Sequence, residues 1–264
     1  MKKYLVIGNP IEHSLSAKLH NYWIKKNNLN AIYNNKKLHK DEVEETINQV
    51  KKGNIDGINV TLPFKKSVIS YLDELTDLSK ETQSVNTIYK KNTKVVGDNT
   101  DINGFELALK HINYEVKNKK IFILGAGGVV PSIILALKRL KASKIILTNR
   151  TKKKAEELKE IYSSLEVVEW GQVIDFDIII NATSLGLKND DHIKINFGQL
   201  KKSKFFYDVI YNPSKTNFLL ESSKLGHKIE NGKLMFIYQA QLSFKIWHNI
   251  LPEIDEQTIK LLDV

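Results

Sequence analysis

The sequence contains no cysteine among its 264 residues. This absence excludes disulfide bonds, thiolate–zinc sites and a cysteine nucleophile, and it is compatible with a reducing cytosol. Long hydrophobic runs are missing as well, since no apolar stretch approaches the roughly 20 residues that span a bilayer. The apolar run that follows Lys3 is too short for a secretory signal. We therefore expect a cytoplasmic protein with no membrane partner.

Arginine is nearly absent, with only Arg139 and Arg150 among 40 basic residues. The formal charge is +10, but the lysines are spread along the whole chain and no patch combines basic with aromatic residues. Such a distribution is typical of solvated surfaces, so nucleic acid is not expected as a partner. Arg139 closes a predicted amphipathic helix, whereas Arg150 needs an explanation of its own.

Short runs rich in valine and isoleucine alternate with segments of helical periodicity, which predicts parallel sheets with crossover helices. The predicted fold class is therefore α/β, in two domains with a ligand cleft between them. The hinge is predicted near residues 99–104. The predicted strands cover residues 3–8, 31–38, 57–60, 85–90, 94–97, 120–124, 144–148, 166–169, 177–181 and 205–209.

Helices are predicted over the longer segments between these strands. Asp41 is a plausible N-cap for the second of them. The predicted helices cover residues 16–28, 41–52, 128–140, 151–162 and 234–249, with a last short helix after Pro252.

A glycine-rich loop follows the predicted strand at residues 120–124 and opens a helix. It comprises Gly125, Ala126, Gly127, Gly128 and Val129. Glycines in this context permit a tight turn and a close approach of the backbone to a pyrophosphate at the helix N-terminus. The third glycine of the usual fingerprint is replaced by Val130, so a purely structural turn stays open as the alternative.

The next predicted strand indicates which dinucleotide is bound. An NAD site needs a carboxylate about 20 residues after the glycines to bind the ribose hydroxyls. Residues 141–151 contain none, and the strand ends instead at Asn149, Arg150 and Thr151, with Lys154 shortly after. A guanidinium group, a hydroxyl and a helix N-terminus attract a 2′-phosphate, so NADP(H) is the predicted cofactor. The alternative is that Arg150 is a surface residue and Thr151 a helix N-cap.

Four short polar motifs follow predicted strands in the first half of the chain. They bring together hydroxyls, amides, one ammonium group and one carboxylate, where α/β proteins bind ligands. No metal site is predicted, because the histidines show no ligand spacing. No serine nucleophile elbow or P-loop is present either. The four motifs cover residues 8–16, 59–65, 84–87 and 97–101.

With these motifs in order, the chain resembles the shikimate dehydrogenase family through nearly its whole length. Further matching segments are residues 181–186, 208–213, 232–235 and 239–240. The resemblance implies a substrate-binding catalytic domain at residues 1–101 plus 233–264, with the C-terminal helices packing back on it. It implies a Rossmann-type NADP-binding domain at residues 102–232.

The resemblance also implies an activity, the NADPH-linked reversible reduction of 3-dehydroshikimate to shikimate in chorismate biosynthesis. Lys65 and Asp101 match the family's catalytic pair. The implied substrate-binding residues are Ser14, Ser16, Asn59, Thr61, Lys65, Asn86, Asp101, Tyr211 and Gln239. The implied cofactor-binding residues are Asp77, Gly125, Ala126, Gly127, Gly128, Val129, Asn149, Arg150, Thr151, Lys154, Val209 and Gly232.

The chemistry suits these residue types. Hydride addition to a ketone develops alkoxide charge, so a cation that donates a hydrogen bond to that oxygen helps most in the transition state. Lys65 is therefore expected to donate the proton in the reducing direction, with Asp101 holding the ammonium group in place. The protonation state of Lys65 in the resting enzyme is left open by the sequence.

Two other functions compete with this one. A quinate/shikimate dehydrogenase would accept quinate or NAD, and the lack of a carboxylate near Arg150 argues against NAD. A catalytically silent relative would bind the nucleotide or metabolite as a sensor, which the presence of both Lys65 and Asp101 argues against. The expected partner is a small-molecule substrate, and the chain is expected to act as a monomer or homodimer.

Overall fold

The computed structural model describes residues 1–188, 190–195, 200 and 203–263. The chain folds into two compact units, one formed by Met1–Phe105 with Ile237–Asp263 and the other by Glu106–Phe236. The units divide after residues 105 and 236, whereas the sequence places the divisions after 101 and 232. Each division falls inside a helix, Asp101–His111 or Lys233–His248, rather than at the start of that helix.

The first unit contains a mixed sheet in the order β2-β1-β3-β5-β6-β4. β1 is parallel to β2 and β3, β5 is antiparallel to both of its neighbours, and β4 is parallel to β6. The elements are β1 (Lys2–Gly8), α1 (Ser16–Lys26), β2 (Ala31–Lys37), α2 (Val43–Lys52), β3 (Gly57–Val60), β4 (Glu74–Leu75), α3 (Asp77–Thr82), β5 (Thr87–Lys91) and β6 (Lys94–Asp98), with 3-10 helices at Lys40–Glu42 and Ser67–Tyr71.

This topology brings the four polar motifs to one edge of the first sheet. β1 and β3 are parallel and in register at Ile7 and Val60, so the loops that follow them leave at the same edge. β3 and β6 run in the same direction because β5 is antiparallel to both. Asn59 and Asp98 both pair with Thr87 at the start of β5, so the ends of β3 and β6 lie at that edge. Ligand-binding side chains on these loops therefore start from neighbouring backbone positions.

The second unit contains a parallel sheet in the order β12-β11-β10-β7-β8-β9. Its four inner strands are short, largely apolar and buried, as is typical of parallel strands covered by helices. The elements are α4 (Asp101–His111), which begins in the first unit, β7 (Lys120–Leu124), α5 (Val130–Arg139), β8 (Lys144–Thr148), α6 (Lys152–Ile161), β9 (Glu166–Val167), β10 (Ile178–Asn181), β11 (Phe205–Asp208), α7 (Asn217–Lys224) and β12 (Lys228–Glu230). The helix α8 (Lys233–His248) begins in this unit and continues in the first, and α9 (Glu256–Lys260) belongs to the first unit.

The predicted α/β fold is confirmed, although the first sheet is mixed rather than purely parallel and the N-cap predicted at Asp41 is wrong. Asp41 is not an N-cap, because residues Lys40–Glu42 form a 3-10 helix ahead of α2. Glu42 instead accepts a hydrogen bond from the backbone N–H of His39 at 2.6 Å, as half of a capping box. This box satisfies the start of the turn and leaves Asp41 exposed.

Within the described ranges, no helix is both long enough and apolar enough to cross a lipid bilayer.

Candidate active site

Lys65 and Asp101 form a buried ion pair in the first unit. Lys65 lies in the loop after β3, and Asp101 is the first residue of α4. Lys65 Nζ lies 2.6 Å from Asp101 Oδ2, and only 11% and 6% of the two side chains are exposed. Charges withdrawn from water to this extent are costly unless each keeps its partner. The pair therefore holds one ammonium group at the edge of the sheet where the polar loops meet.

Backbone hydrogen bonds fix both members of this pair. Phe64 is buried, and its N–H donates to the Thr61 carbonyl at 2.9 Å, which closes a turn before Lys65. The carbonyl of Lys65 accepts from the N–H of Val85 at 2.8 Å. The N–H of Asp101 donates to Oδ1 of the buried Asn99 at 3.1 Å. These hydrogen bonds hold the backbone at Lys65 and at Asp101 in position, so the ion pair does not have to order the loops by itself.

The side-chain amide of Asn86 completes the coordination of the Asp101 carboxylate. Asn86 Nδ2 donates to Asp101 Oδ1 at 2.9 Å, while Lys65 occupies the other oxygen. Asn86 Oδ1 in turn accepts from the backbone N–H of Thr100 at 2.8 Å. Each carboxylate oxygen therefore has its own donor, which orients the carboxylate.

Gln239 reaches this cluster from α8 because α4 has a glycine opposite it. A Cβ atom at Gly104 would lie 2.9 Å from the backbone nitrogen of Gln239, closer than real Cβ contacts allow. The glycine thus permits α8 to approach α4. Asn86 Nδ2 lies 3.3 Å from Gln239 Oε1. Lys65, Asp101, Asn86 and Gln239 are therefore linked through hydrogen bonds in one cluster.

Ser14 and Ser16 form a second polar group at the start of α1. Ser14 Oγ lies 3.1 Å from Ser16 Oγ and accepts from the Ser16 N–H at 3.3 Å. The first turn of α1 contains no acidic residue, and its N-cap residue Leu15 supplies no side-chain hydrogen bond. Two hydroxyls beside an uncapped helix N-terminus form an environment that suits a carboxylate.

Thr61 and Asn59 differ in how their side chains are used. Thr61 is half-buried directly after β3, and its backbone N–H donates to the Ile7 carbonyl at 2.9 Å. Asn59 is 6% exposed, and its amide is occupied by partners inside the unit, among them Tyr33 and Ser243. The predicted substrate contact of Asn59 stays a prediction.

Tyr211 belongs to the second unit and follows β11. Its ring stacks on Phe236, with centroids 4.2 Å apart and an interplanar angle of 23°. Val209 precedes it, and its N–H donates to the Asn181 carbonyl at 2.9 Å. The backbone of Gly232 lies so close to Val209 that a Cβ at Gly232 would collide with the Val209 carbonyl. These contacts place Val209, Tyr211 and Gly232 in one loop region of the second unit.

The glycine loop has the backbone geometry of a pyrophosphate cradle. Gly125 has a φ of +109°, and a Cβ there would lie 2.8 Å from the Ala182 carbonyl oxygen. Only glycine fits such a position. α5 then begins at Val130, after Val129 as an N-cap residue without a side-chain hydrogen bond. The loop thus ends at a helix N-terminus, the feature that binds the pyrophosphate in dinucleotide sites.

Asn149 connects this loop to the end of β8. Its Oδ1 accepts from the Ala126 N–H at 3.1 Å, and its Nδ2 donates to the Thr151 carbonyl at 2.8 Å. Arg150, Thr151 and Lys154 are exposed beside it. In the described part of the chain, no carboxylate forms an ion pair with Arg150. The residues fit a 2′-phosphorylated dinucleotide, since exposed cations lie directly after the strand that follows the glycine loop.

Asp77 lies apart from the other predicted cofactor residues, in the first unit. It is the first residue of α3, and its exposed carboxylate lies 3.6 Å from Lys80 Nζ. Its predicted contact with the cofactor stays a prediction.

Sequence reasoning missed a buried carboxylate, Asp208, at the end of β11. It accepts hydrogen bonds from Thr216 Oγ1 at 2.6 Å, Asn181 Nδ2 at 3.0 Å and the Ile210 N–H at 3.0 Å. Burial raises the pKa of Asp208 to about 6, although these donors oppose the shift. Asp208 therefore ties the loops after β10 and β11 together. Its signal in the sequence was a lone acidic residue at the end of an apolar strand.

A hydroxyl cluster in the first unit was also missed. Thr87 and Thr100 occur in the polar motifs without a role of their own, and Ser243 follows Gln239 by one helical turn.

Among the described residues, no group of three or more histidine or carboxylate side chains is arranged to hold a metal ion.

Two family models match the chain. The model described as the shikimate dehydrogenase substrate binding domain matches residues 6–88, and the model described as shikimate / quinate 5-dehydrogenase matches residues 106–211. A shikimate dehydrogenase (NADP(+)) of Pelagibacter ubique (strain HTCC1062) is 58% identical over 263 residues, which cover 100% of this chain and 99% of that protein.

Solved structures resemble the whole chain. The crystal structure of shikimate dehydrogenase from Aquifex aeolicus has a TM-score of 0.91 at 38% identity, covering 99% of this chain and 97% of that one. The shikimate 5-dehydrogenase of Thermus thermophilus in complex with NADP(H) and shikimate has a TM-score of 0.89 at 27% identity, covering 100% and 98%.

Proposed function

Because the chain belongs to the shikimate dehydrogenase family, we propose that it catalyses the NADPH-linked, reversible reduction of 3-dehydroshikimate to shikimate. The observation that carries the assignment of the site is the buried pair of Lys65 and Asp101, with Nζ and Oδ2 2.6 Å apart. The reaction belongs to chorismate and aromatic amino acid biosynthesis, and the chain is an NADP-dependent oxidoreductase.

Lys65 is the proton donor in the reducing direction. Bound NADPH supplies the hydride that adds to the C3 carbonyl carbon. The electron pair of the carbonyl bond then moves onto oxygen, where an ammonium hydrogen bond stabilises the developing alkoxide. Lys65 transfers one proton to that oxygen and becomes a neutral amine, and oxidation of shikimate reverses each step. The carboxylate of Asp101 keeps the ammonium group in place between turnovers.

The remaining residues of the first unit bind the substrate. Ser14 and Ser16 bind the substrate carboxylate, which the uncapped N-terminus of α1 supports. Thr61, Asn86 and Gln239 present hydroxyl and amide groups suited to the ring hydroxyls. The part of Tyr211 in substrate binding stays a prediction. Asn59 is buried and holds the backbone carbonyl of Asn86 by a hydrogen bond.

The cofactor is held by the second unit. Gly125, Ala126, Gly127, Gly128 and Val129 form the turn that the pyrophosphate approaches at the N-terminus of α5. Asn149, Arg150, Thr151 and Lys154 surround the 2′-phosphate, for which the exposed guanidinium and ammonium groups are suited. Val209 and Gly232 contribute to the nicotinamide side, and the part of Asp77 stays a prediction.

The experiment that tests the proposal compares cofactors and substrates in one assay. Purified protein is supplied with NADPH or NADH, and with 3-dehydroshikimate or 3-dehydroquinate, and oxidation of the cofactor is followed. The proposal expects the highest kcat/KM for NADPH with 3-dehydroshikimate. Equal efficiency with both cofactors would refute the choice of NADP. Binding of shikimate without any turnover would establish the sensor instead.

We further propose that the enzyme works in the cytoplasm as a monomer or a homodimer. Sedimentation equilibrium distinguishes 30.3 kDa from twice that mass.

A further inference from the structure

Ser243 is the centre of a buried hydroxyl cluster in the first unit. It lies on α8, and none of its surface is exposed. Its Oγ lies 2.7 Å from Thr87 Oγ1, 3.2 Å from Thr100 Oγ1 and 3.0 Å from the Gln239 carbonyl oxygen. Asn59 Nδ2 donates to it at 3.0 Å. A residue without exposed surface does not touch substrate, so its effect on catalysis passes through these neighbours.

The amide of Asn59 has only one orientation that satisfies its partners. The carbonyl oxygen of Asn86 can only accept, and it lies 3.0 Å from Asn59 Nδ2. On the other side, the hydroxyl of Tyr33 donates to Asn59 Oδ1 at 2.7 Å. A flipped amide would set two carbonyl-type oxygens against each other. The NH₂ group of Asn59 therefore faces Ser243.

The amide of Asn86 is fixed in the same way. Its Oδ1 faces the backbone N–H of Thr100 at 2.8 Å, which can only donate, and it lies 3.0 Å from Thr87 Oγ1. Its Nδ2 is thereby directed to Asp101 Oδ1, and Oδ2 is left for Lys65. The two threonines that hold this amide are the same two whose hydroxyls contact Ser243.

We propose that Ser243 is a positioning residue for proton transfer by Lys65. Its hydroxyl holds Thr87, Thr100 and Asn59 in place. The two threonines orient the side-chain amide of Asn86, Asn59 holds its backbone carbonyl, and the amide orients the Asp101 carboxylate against the ammonium group. The inference rests on the proposed function, because it concerns the same ammonium group. Small displacements of a reacting group lower turnover far more than they lower binding.

A matched control exists elsewhere in the chain. Ser222 lies on α7, is 2% exposed, and donates to the Phe218 carbonyl four residues earlier at 2.7 Å. Ser243 makes the equivalent bond to Gln239 within α8. Replacing either serine by alanine removes one buried helical hydroxyl. Only the change at Ser243 also removes contacts to Thr87, Thr100 and Asn59.

The first experiment compares Ser243→Ala with Ser222→Ala in the full-length enzyme. The proposal expects Ser243→Ala to lower kcat for 3-dehydroshikimate about 10-fold to 100-fold, with the KM for NADPH nearly unchanged. It also expects the pH profile of kcat to shift in Ser243→Ala alone. Ser222→Ala should keep kcat within about twofold of wild type, while its melting temperature falls comparably. Equal kcat values and pH profiles for the two variants would overturn the proposal.

A second pair of variants decides the matter if Ser243→Ala does not fold. Thr87→Val keeps the shape of the side chain and removes its hydroxyl, whereas Thr87→Ser keeps the hydroxyl. The proposal expects a loss of kcat in Thr87→Val and recovery in Thr87→Ser, and wild-type kcat in both would overturn it. A wild-type enzyme without turnover refutes the proposed function and the inference together, whereas an active wild type with unaffected variants refutes the inference alone.

Discussion

The imidazole of His20 lies parallel to the phenol ring of Tyr33, with centroids 4.2 Å apart and an interplanar angle of 4°. His20 is 1% exposed, and within the described part of the chain neither ring nitrogen has a hydrogen-bond partner. Burial, reinforced by the neighbouring His248, lowers the pKa of His20 to about 3. The neutral ring therefore packs against the same tyrosine whose hydroxyl orients Asn59.

Acid should destabilise the protein through this histidine. Unfolded His20 titrates at about 6.5, so unfolding takes up a proton between pH 6.5 and pH 3. The contribution of His20 to the free energy of unfolding is therefore greatest above pH 6.5 and falls as the pH is lowered, by about 1.4 kcal/mol per pH unit. His20→Phe keeps the ring and removes the titration. We expect it to flatten the pH dependence of unfolding, measured with urea between pH 7 and pH 4.

His111→Phe serves as the control for that experiment, because His111 is an exposed histidine. It should leave the pH dependence close to that of wild type. If the free energy of unfolding of His20→Phe depended on pH as steeply as that of wild type, His20 would not be a buried neutral histidine in the folded protein.

The serine pair should contribute to substrate binding more than to turnover. Ser14→Ala and Ser16→Ala each remove a donor for the substrate carboxylate, which is charged in both the ground state and the transition state. We expect the KM for 3-dehydroshikimate to rise about tenfold with little change in kcat. Ser70→Ala removes an exposed hydroxyl on a 3-10 helix of the same unit and should alter neither constant. A loss confined to kcat would assign the serines a different role.

The two arginines offer a matched test of cofactor choice. Arg150→Ala should raise the KM for NADPH about tenfold and leave the KM for NADH nearly unchanged, because only NADPH carries the 2′-phosphate. Arg139 pairs instead with Glu106 at 3.0 Å, so Arg139→Ala should not change the ratio of the two constants. Steady-state kinetics with both cofactors provide the measurement. Equal losses with NADPH and NADH in Arg150→Ala would contradict a phosphate contact.

The sequence predicts most of the fold because its strands are short apolar runs bounded by polar turns. β3 and β7, for example, coincide with the predicted residues 57–60 and 120–124. α7 and β12 were not predicted. α7 is eight residues long and β12 three, so neither carries a clear periodicity. Asp41 was misjudged because a 3-10 turn and a helical N-cap have the same local composition.

The candidate site was predictable where chemistry is concentrated in motifs, and not where it depends on tertiary contacts. Lys65 and Asp101 occur in short motifs with polar neighbours. Ser243 lies in a helix where serine is unremarkable, 156 residues from Thr87 in the chain. Only the packing of α8 against the sheet brings the two hydroxyls together, and no local pattern reports such packing.

The turnover of Lys65→Met tests the central claim most directly. Asp101 loses its cation in this variant, so Lys65→Met with Asp101→Asn is measured beside it to exclude a loss of folding. The account predicts that kcat for 3-dehydroshikimate falls at least about 100-fold in both, because the proton donor is gone, while the dissociation constant of NADPH stays within about twofold. A Lys65→Met enzyme that folds, binds NADPH and turns over within about threefold of wild type would contradict the account.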